Sequence, residues 1–226
     1  MRSMWGIEDI ELLNEWPIGG EEQMSFIIQP GLNFPSLPPI PIHRLTVQQY
    51  HRMIEAGVLT ENDQVELIEG LLVSKMPHSS SHDGTVSILL RELGKRLPGK
   101  WIVRVQSAIT LDESEPEPDL AVVLGPEEKY LPGHPTPADV GMVVEVSDTS
   151  LAHDQNIKAR LYAHARIPIY WIVNLVQHQV EIRTDPKGGK APAYRRLETF
   201  GLELGAPLVI SGKELGQLAV RKLFPS

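Results

Sequence analysis

Apolar positions along this chain follow two rhythms, one close to 3.6 residues and one of two, and their order sketches a fold. Thr46 is a good N-cap for TVQQYHRMIEAG and Gly57 a good stop, so a helix is expected between them. VELIEGLLVSKM reads as two strands turning near Glu69 and Gly70. In SHDGTVSILLRELGKRL, Val86, Leu89, Leu90, Leu93 and Leu97 form a stripe that predicts an amphipathic helix. Strands are expected around WIVRVQSAITL, PDLAVVL and MVVEVS, with a loop rich in proline and glycine between the last two. A helix from about Asp154 to Ala165, with Ile157, Leu161 and Ala165 on its apolar stripe, leads into the strand IPIYWIVNL. Short strands follow at VEIRT, near Tyr194 to Glu198, and at LVI. This alternation predicts an α/β domain with a central mixed β-sheet flanked by helices.

Residues 1–41 break the rhythm. An acidic stretch, Ile7 to Trp16, precedes SFIIQ and the proline-rich PGLNFPSLPPIPI, a composition that favours an extended tether. An N-terminal arm over residues 1–43 and a domain over 44–226 are therefore expected. Trp16, Phe26, Ile27 and Phe34 of the arm, with the prevalence of symmetric oligomers, point to a homodimer.

Composition narrows the function. Apolar residues make up 42% and charged residues 22%, as in ordinary globular proteins. No apolar stretch approaches the ~18 residues of a membrane helix, and acids interrupt the start where a signal peptide would be apolar. With no cysteine, disulfides, thiolate chemistry and cysteine-based zinc knuckles are excluded, and a cytoplasmic location is the simplest expectation. The net charge of −8 opposes broad attraction to nucleic acid. Five of those negative charges lie in residues 1–41, where six acids face Arg2 alone, so the body carries −3 and leaves room for a local basic rim.

Two carboxylates stand out. Glu145 sits inside the apolar run MVVEV, and Asp119 opens DLAVVL, both on strands that read as buried on two faces. Glu181, in HQVEIRT, alternates as though it points to water. A lone buried carboxylate would cost several kcal/mol or become neutral, and a divalent ion, magnesium or manganese, is the economical partner for two of them. The competing readings are a turn acid at Asp119 and an ion pair with one arginine at Glu145. Asp154, Lys158 and Tyr162 share one face of the following helix, so Lys158 can send its ammonium toward a strand end. It can equally be half of an exposed Asp154–Lys158 pair, and spacing does not choose between these.

PEPDLAVV, VVEVSDTS with the following D, K and Y, and IPIYWIVN resemble the Uma-type family of bacterial proteins related to restriction endonucleases, long catalogued as a domain of unknown function. VELIEG, HSSSH and the helix it opens extend the resemblance over roughly residues 44–185. That family lies in the PD-(D/E)xK nuclease superfamily, so the resemblance implies a restriction-endonuclease-like core. It also implies that Asp119 and Glu145 are metal ligands and that the lysine has moved from position 147, here Ser147, to Lys158. His82 matches a recurrent family histidine and Glu66 the acid of the hairpin, while Asn174 departs from a frequent aspartate. His82 either caps its helix or approaches the metal water. His78 four residues earlier makes a zinc pair conceivable, but no third ligand at diagnostic spacing follows. Tyr162 and Trp171 read as packing residues.

The expected function is metal-dependent hydrolysis of DNA or RNA phosphodiesters, using magnesium or manganese with Asp119, Glu145, Lys158, His82 and Glu66. A nuclease-derived scaffold that binds a protein or nucleic acid without cutting is the rival. A hydrolase of small phosphorylated molecules ranks third, because no phosphate-cradling glycine loop is present.

Overall fold

A computed structural model of the chain describes residues 42–224, so the arm expected over 1–43 lies outside the described residues but for its last two. Helix α1 (Val47–Glu55) begins with a capping box. Thr46 accepts the Gln49 N–H, and the Gln49 side chain returns to the Thr46 N–H. Strands β1 (Val65–Ile68) and β2 (Leu71–Ser74) form a hairpin whose turn places Glu69 and Gly70 at φ 48° and 78°. Two successive positive φ angles are what a two-residue hairpin turn with the right twist demands. A side chain at Gly70 would also collide, since a Cβ there lies 2.6 Å from Cβ of Arg44.

Helix α2 (Ser80–Gly94) is capped by Ser79, whose hydroxyl accepts the His82 N–H, so capping falls to the serine and not to His82. It buries Val86, Leu89 and Leu93, and Leu97 beyond its end packs on the same core. Leu90 departs from the expected stripe and is 39% exposed, because each helical residue turns about 100° from the last.

The central sheet has six strands: β3 (Trp101–Val105), β4 (Leu120–Leu124), β5 (Val140–Ser147), β6 (Ile169–Asn174), β7 (Gln179–Lys187) and β8 (Ala193–Gly201), in that spatial order. Every neighbouring pair is antiparallel except β5 and β6, which makes the sheet mixed, as expected. The expected strand WIVRVQSAITL stops at Val105, because Gln106 adopts φ 42° and turns the chain away. Strands β9 (Gly205–Ile210) and β10 (Lys213–Ala219) form a separate hairpin, and β10 was not anticipated.

The parallel β5–β6 pair needs a crossover, and residues 151–164 supply it. The helix begins at Leu151, three residues before the expected start, as α3 (Leu151–His153). A π-helical turn, Asp154–Lys158, separates α3 from α4 (Ala159–His164). Such turns insert backbone slack into a helix and recur at functional sites.

Strand alternation divides the core. Met142, Val144 and Val146 of β5 pack with Leu120, Val122, Trp171 and the buried leucines of α2. On the opposite face, Val143 packs with Ala121, Val123, Ile172, Leu161 and Tyr162. Parity therefore puts Glu145 and Ser147 on the crossover face. Glu181 is on that face too, between Val180 and Ile182, and it is 3% exposed instead of pointing to water. HQVEIRT keeps its period of two, but the crossover covers the face expected to be wet: Gln155 of the π-helical turn donates to Glu181 at 2.7 Å.

Candidate active site

Strand ends carry the two acids into one place. Asp119 immediately precedes β4, and its Oδ2 accepts the Val146 N–H of β5 at 2.7 Å. The Asp119 N–H in turn donates to Glu145 Oε2 at 3.3 Å. These two bonds tie β4 to β5 and fix both carboxylates beside each other. His82, from the first turn of α2, donates from Nε2 to the same Asp119 oxygen at 3.1 Å. Asp119 Oδ1 has no hydrogen-bond donor among the described residues.

Lys158 reaches in from the crossover. Its Nζ donates to Glu145 Oε1 at 3.0 Å and stands 3.6 Å from Glu66 Oε1. The Tyr162 hydroxyl donates to that same Glu145 oxygen at 2.9 Å, so this residue both packs and positions. Glu66, on β1, accepts the Glu117 N–H at 2.9 Å, which anchors the hairpin against the segment leading to Asp119. Ser147, where a lysine would sit in the familiar spacing, donates with Ser150 to Asp154 Oδ2. Asp154 and Lys158 do not form an exposed pair: the two are 2% and 8% exposed, and the lysine faces Glu145. An arginine partner for Glu145 and a purely turn-forming Asp119 are likewise not what the geometry contains.

Charge is unbalanced here. Glu66, Asp119, Glu145 and Asp154 are all buried, and among the described residues Lys158 is the buried ammonium that answers them. Burial pushes the Glu145 carboxyl well above its ordinary range; Lys158 pulls it back, while Asp119, Asp154 and Glu66 push further. Lys158 is opposed by burial, but Glu145, Glu66 and Asp154 outweigh this and hold its proton more tightly than usual. Both directions have one origin: a dry cluster with more acids than bases retains protons. Burial similarly raises Asp154 against Lys158, Ser150 and Ser147. His82 is disfavoured as a cation by burial, yet the bond and charge of Asp119, with Asp83, raise it overall. Even Tyr50 is pushed up to about 12, first by burial and then by Glu117, Glu115 and Glu66.

The cluster opens into a cleft of about 580 Å³, lined by Glu66, His82, Asp119, Glu145, Asp154 and Lys158. All five residues singled out from the sequence thus line one cleft, and Asp154 joins them. Gln106 also lines it from the turn after β3, and no pattern in the sequence marks that residue. Asn174 lies outside, bonded to Gln177 and Glu181. Hard carboxylate oxygens without enough protein cations suit a hard divalent cation.

No helix among the described residues is long and apolar enough to cross a membrane. No curated protein matches the chain. A crystal structure from Anabaena variabilis ATCC 29413, described as "a putative nuclease belonging to DUF820", matches with a TM-score of 0.62 at 16% identity, covering 80% of this chain and 97% of that one. At that identity the likeness bears on the fold. The family model Uma2, described as "putative restriction endonuclease", matches residues 47–220, which span both β1–β2 and the whole central sheet. The chain therefore belongs to the Uma2 family.

Proposed function

We propose that the protein is a metal-dependent nuclease hydrolysing phosphodiester bonds of DNA or RNA, with residues 44–226 as its catalytic domain and residues 1–43 as an arm outside it. The observation that carries this reading is the convergence of Asp119, Glu145 and Lys158 in a cleft where buried acids outnumber buried bases. Family membership and the nuclease-like fold of a solved relative support it.

Asp119, through its unengaged Oδ1, and Glu145 would hold magnesium or manganese. Such an ion supplies positive charge to the phosphate and acidifies a water for attack. The protein's own groups do the rest. His82 and the Val146 N–H brace Asp119 through Oδ2, which leaves the other oxygen oriented by the fold. Lys158 places an ammonium at the edge of the cleft, where it stabilises charge developing on the phosphoryl oxygens. Tyr162 fixes the Glu145 carboxylate from behind. Glu66 keeps Lys158 within reach and protonated.

A divalent ion held in the acid-rich cleft would offset much of the acid charge where the substrate lands, which is how a chain of charge −8 could engage a polyanion. Purified protein incubated with single- and double-stranded DNA and RNA, with and without Mg2+ or Mn2+, tests the assignment. Cleavage that requires metal and is lost in Asp119→Asn and Glu145→Gln is expected. Cleavage untouched by both substitutions would remove these residues from the mechanism.

A non-cutting scaffold is favoured by one specific feature. Both oxygens of Glu145 already have protein donors, so a metal must displace or share with one of them. Calorimetry with Mn2+ separates the two readings, because the scaffold gives no binding heat that Glu145→Gln removes.

A further inference from the structure

The structure assigns a second cation site, for a transition ion of the zinc, cobalt or nickel class, to His78, His82 and Asp83 at the start of α2. Nδ1 of His82 lies 3.3 Å and Nδ1 of His78 3.8 Å from the same Asp83 oxygen, Oδ1. One ligand atom from each of the three lies within 4.8 Å of the others. Ions of this class hold imidazole nitrogen and carboxylate oxygen at about 2.0–2.1 Å, which sets tetrahedral ligand atoms roughly 3.3 Å apart. Two edges of the triangle are near that spacing already, and the third closes by a rotation of the half-exposed His78 ring. Two imidazoles and one carboxylate leave a fourth position for water, facing the open side of Asp83. The ligand that the sequence spacing did not reveal is the residue next to His82.

Three features prepare the nitrogens. His82 donates from Nε2 to Asp119, so at Nδ1 a metal would replace the proton that the ring otherwise shares with Asp83. A carboxylate behind a histidine is the usual outer support of a metal-bound imidazole, fixing its tautomer and raising its basicity. His78 accepts the Gln106 amide at Nδ1, at 3.2 Å, so its lone pair is on that atom and an ion would take the place of the amide. The two rings stack at 4.1 Å with planes 20° apart, so the same rotation of the His78 ring that closes the third edge must also tilt it out of the stack to turn its in-plane lone pair toward the ion. A helix N-terminus alone repels cations, but Asp83 in its first turn and Asp148, bonded to the Ser79 cap, offset that field.

This site is distinct from the Asp119–Glu145 pair and does not depend on the nuclease reading. The His82 ring connects them: an ion on Nδ1 locks the ring that braces Asp119, so occupancy here positions a group of the other site. His82 acts through Asp119 and is a positioning residue in this respect.

Titration of the metal-free full chain with Co2+, followed by visible absorption and by calorimetry in excess Mg2+, tests the assignment. One equivalent with ligand-field bands is expected, undisplaced by Mg2+. His78→Ala and Asp83→Asn should each weaken it by about tenfold or more, while Glu145→Gln retains it. Melting curves establish that the two surface variants remain folded. Loss of the Co2+ signal in Glu145→Gln with retention in His78→Ala and Asp83→Asn overturns the proposal, as does a folded parent that gives no ligand-field bands. A protein that binds Co2+ as described but cleaves no nucleic acid would refute the nuclease reading and leave this site standing.

Discussion

Glu145 and Glu181 are both carboxylates in mid-strand, each 3% exposed, on the same face of one sheet. They even share a row, since Glu145 pairs with Ile172 and Ile172 with Glu181. Their company differs. Glu181 accepts from Gln155 and Asn174 at one oxygen and from Arg183 at the other, a set of donors with a single cation and no second acid. Glu145 accepts from Lys158, Tyr162 and one backbone N–H, but it is crowded by Asp119, Asp154 and Glu66 and opens to a cleft. Burial alone therefore does not mark a functional acid. What sets Glu145 apart is an excess of acids over bases facing a cavity, the setting in which perturbed acids tend to cluster.

Substitution gives the sharpest contrast. Glu145→Gln should lower nucleic-acid cleavage on the order of 10²–10³-fold or more, by analogy with the loss of one electrostatic group from an active site. Glu181→Gln, two strands away in a closed network, should leave the rate close to that of the parent while lowering the melting temperature. Initial rates on a plasmid and on single-stranded oligonucleotides measure both. Equal losses at the two positions would erase the distinction.

Stability gives the next contrast. Lys158→Met strands Glu145 and Glu66 in a dry site, which should cost roughly 3–5 kcal/mol. Adding Glu145→Gln in the same chain should return much of that loss, because the uncompensated charge is then gone. Arg183→Met should cost less, about 1–3 kcal/mol, since Glu181 keeps two amide donors. Urea unfolding of these three variants beside the parent reads the differences directly. A larger cost for Arg183→Met than for Lys158→Met would place the energetic centre on the wrong acid.

The pH dependence of the metal-free protein follows from the same imbalance. Glu145 holds its proton in the fold well above the ordinary value of 4.5, so between those two values the folded state binds more protons than the unfolded one. Stability must then fall as pH rises from about 4.5 through the folded value, by at most ~1.4 kcal/mol per pH unit for this one group. Mn2+ should flatten the slope by favouring the ionised carboxylate. Glu145→Gln should remove this component, and Glu181→Gln should retain it. Melting temperatures across that range, with and without metal, give the comparison.

Much of this arrangement was legible in the chain. Apolar flanks on both sides of Glu145 and after Asp119 marked strands buried on two faces, and those strands do form the sheet centre. The four-residue spacing of Asp154, Lys158 and Tyr162 placed them on one face, and all three are buried beside Glu145. Glu181 departs from the expected wet face because period-two alternation tells which residues share a face, not which face another element will cover. The crossover helix decides that, and its π-helical turn has no period of its own to read. Gln106 gave no signal either: its positive φ and its place in the cleft arise where β3 ends against the chain entering β4. The partnership of His78 with Asp83 depended on ring orientations that residue spacing does not encode.

The smallest effect separates packing from positioning at two tyrosines. Tyr162 and Tyr170 are both 0% exposed and meet edge to face, with ring centroids 5.0 Å apart. The Tyr162 hydroxyl donates to the Glu145 carboxylate, whereas the Tyr170 hydroxyl donates to the backbone carbonyl of Asp154. Replacing either by phenylalanine should cost about 1 kcal/mol, because the ring and its packing remain. Only Tyr162→Phe removes a donor from the ionised form of Glu145, so only there should the carboxyl rise further. The acid limb of the cleavage profile in Mn2+ should then move to higher pH in Tyr162→Phe and stay in place in Tyr170→Phe. If both variants shift the limb equally, the hydroxyl of Tyr162 is a packing feature and Glu145 is oriented by Lys158 and the Asp119 N–H without it.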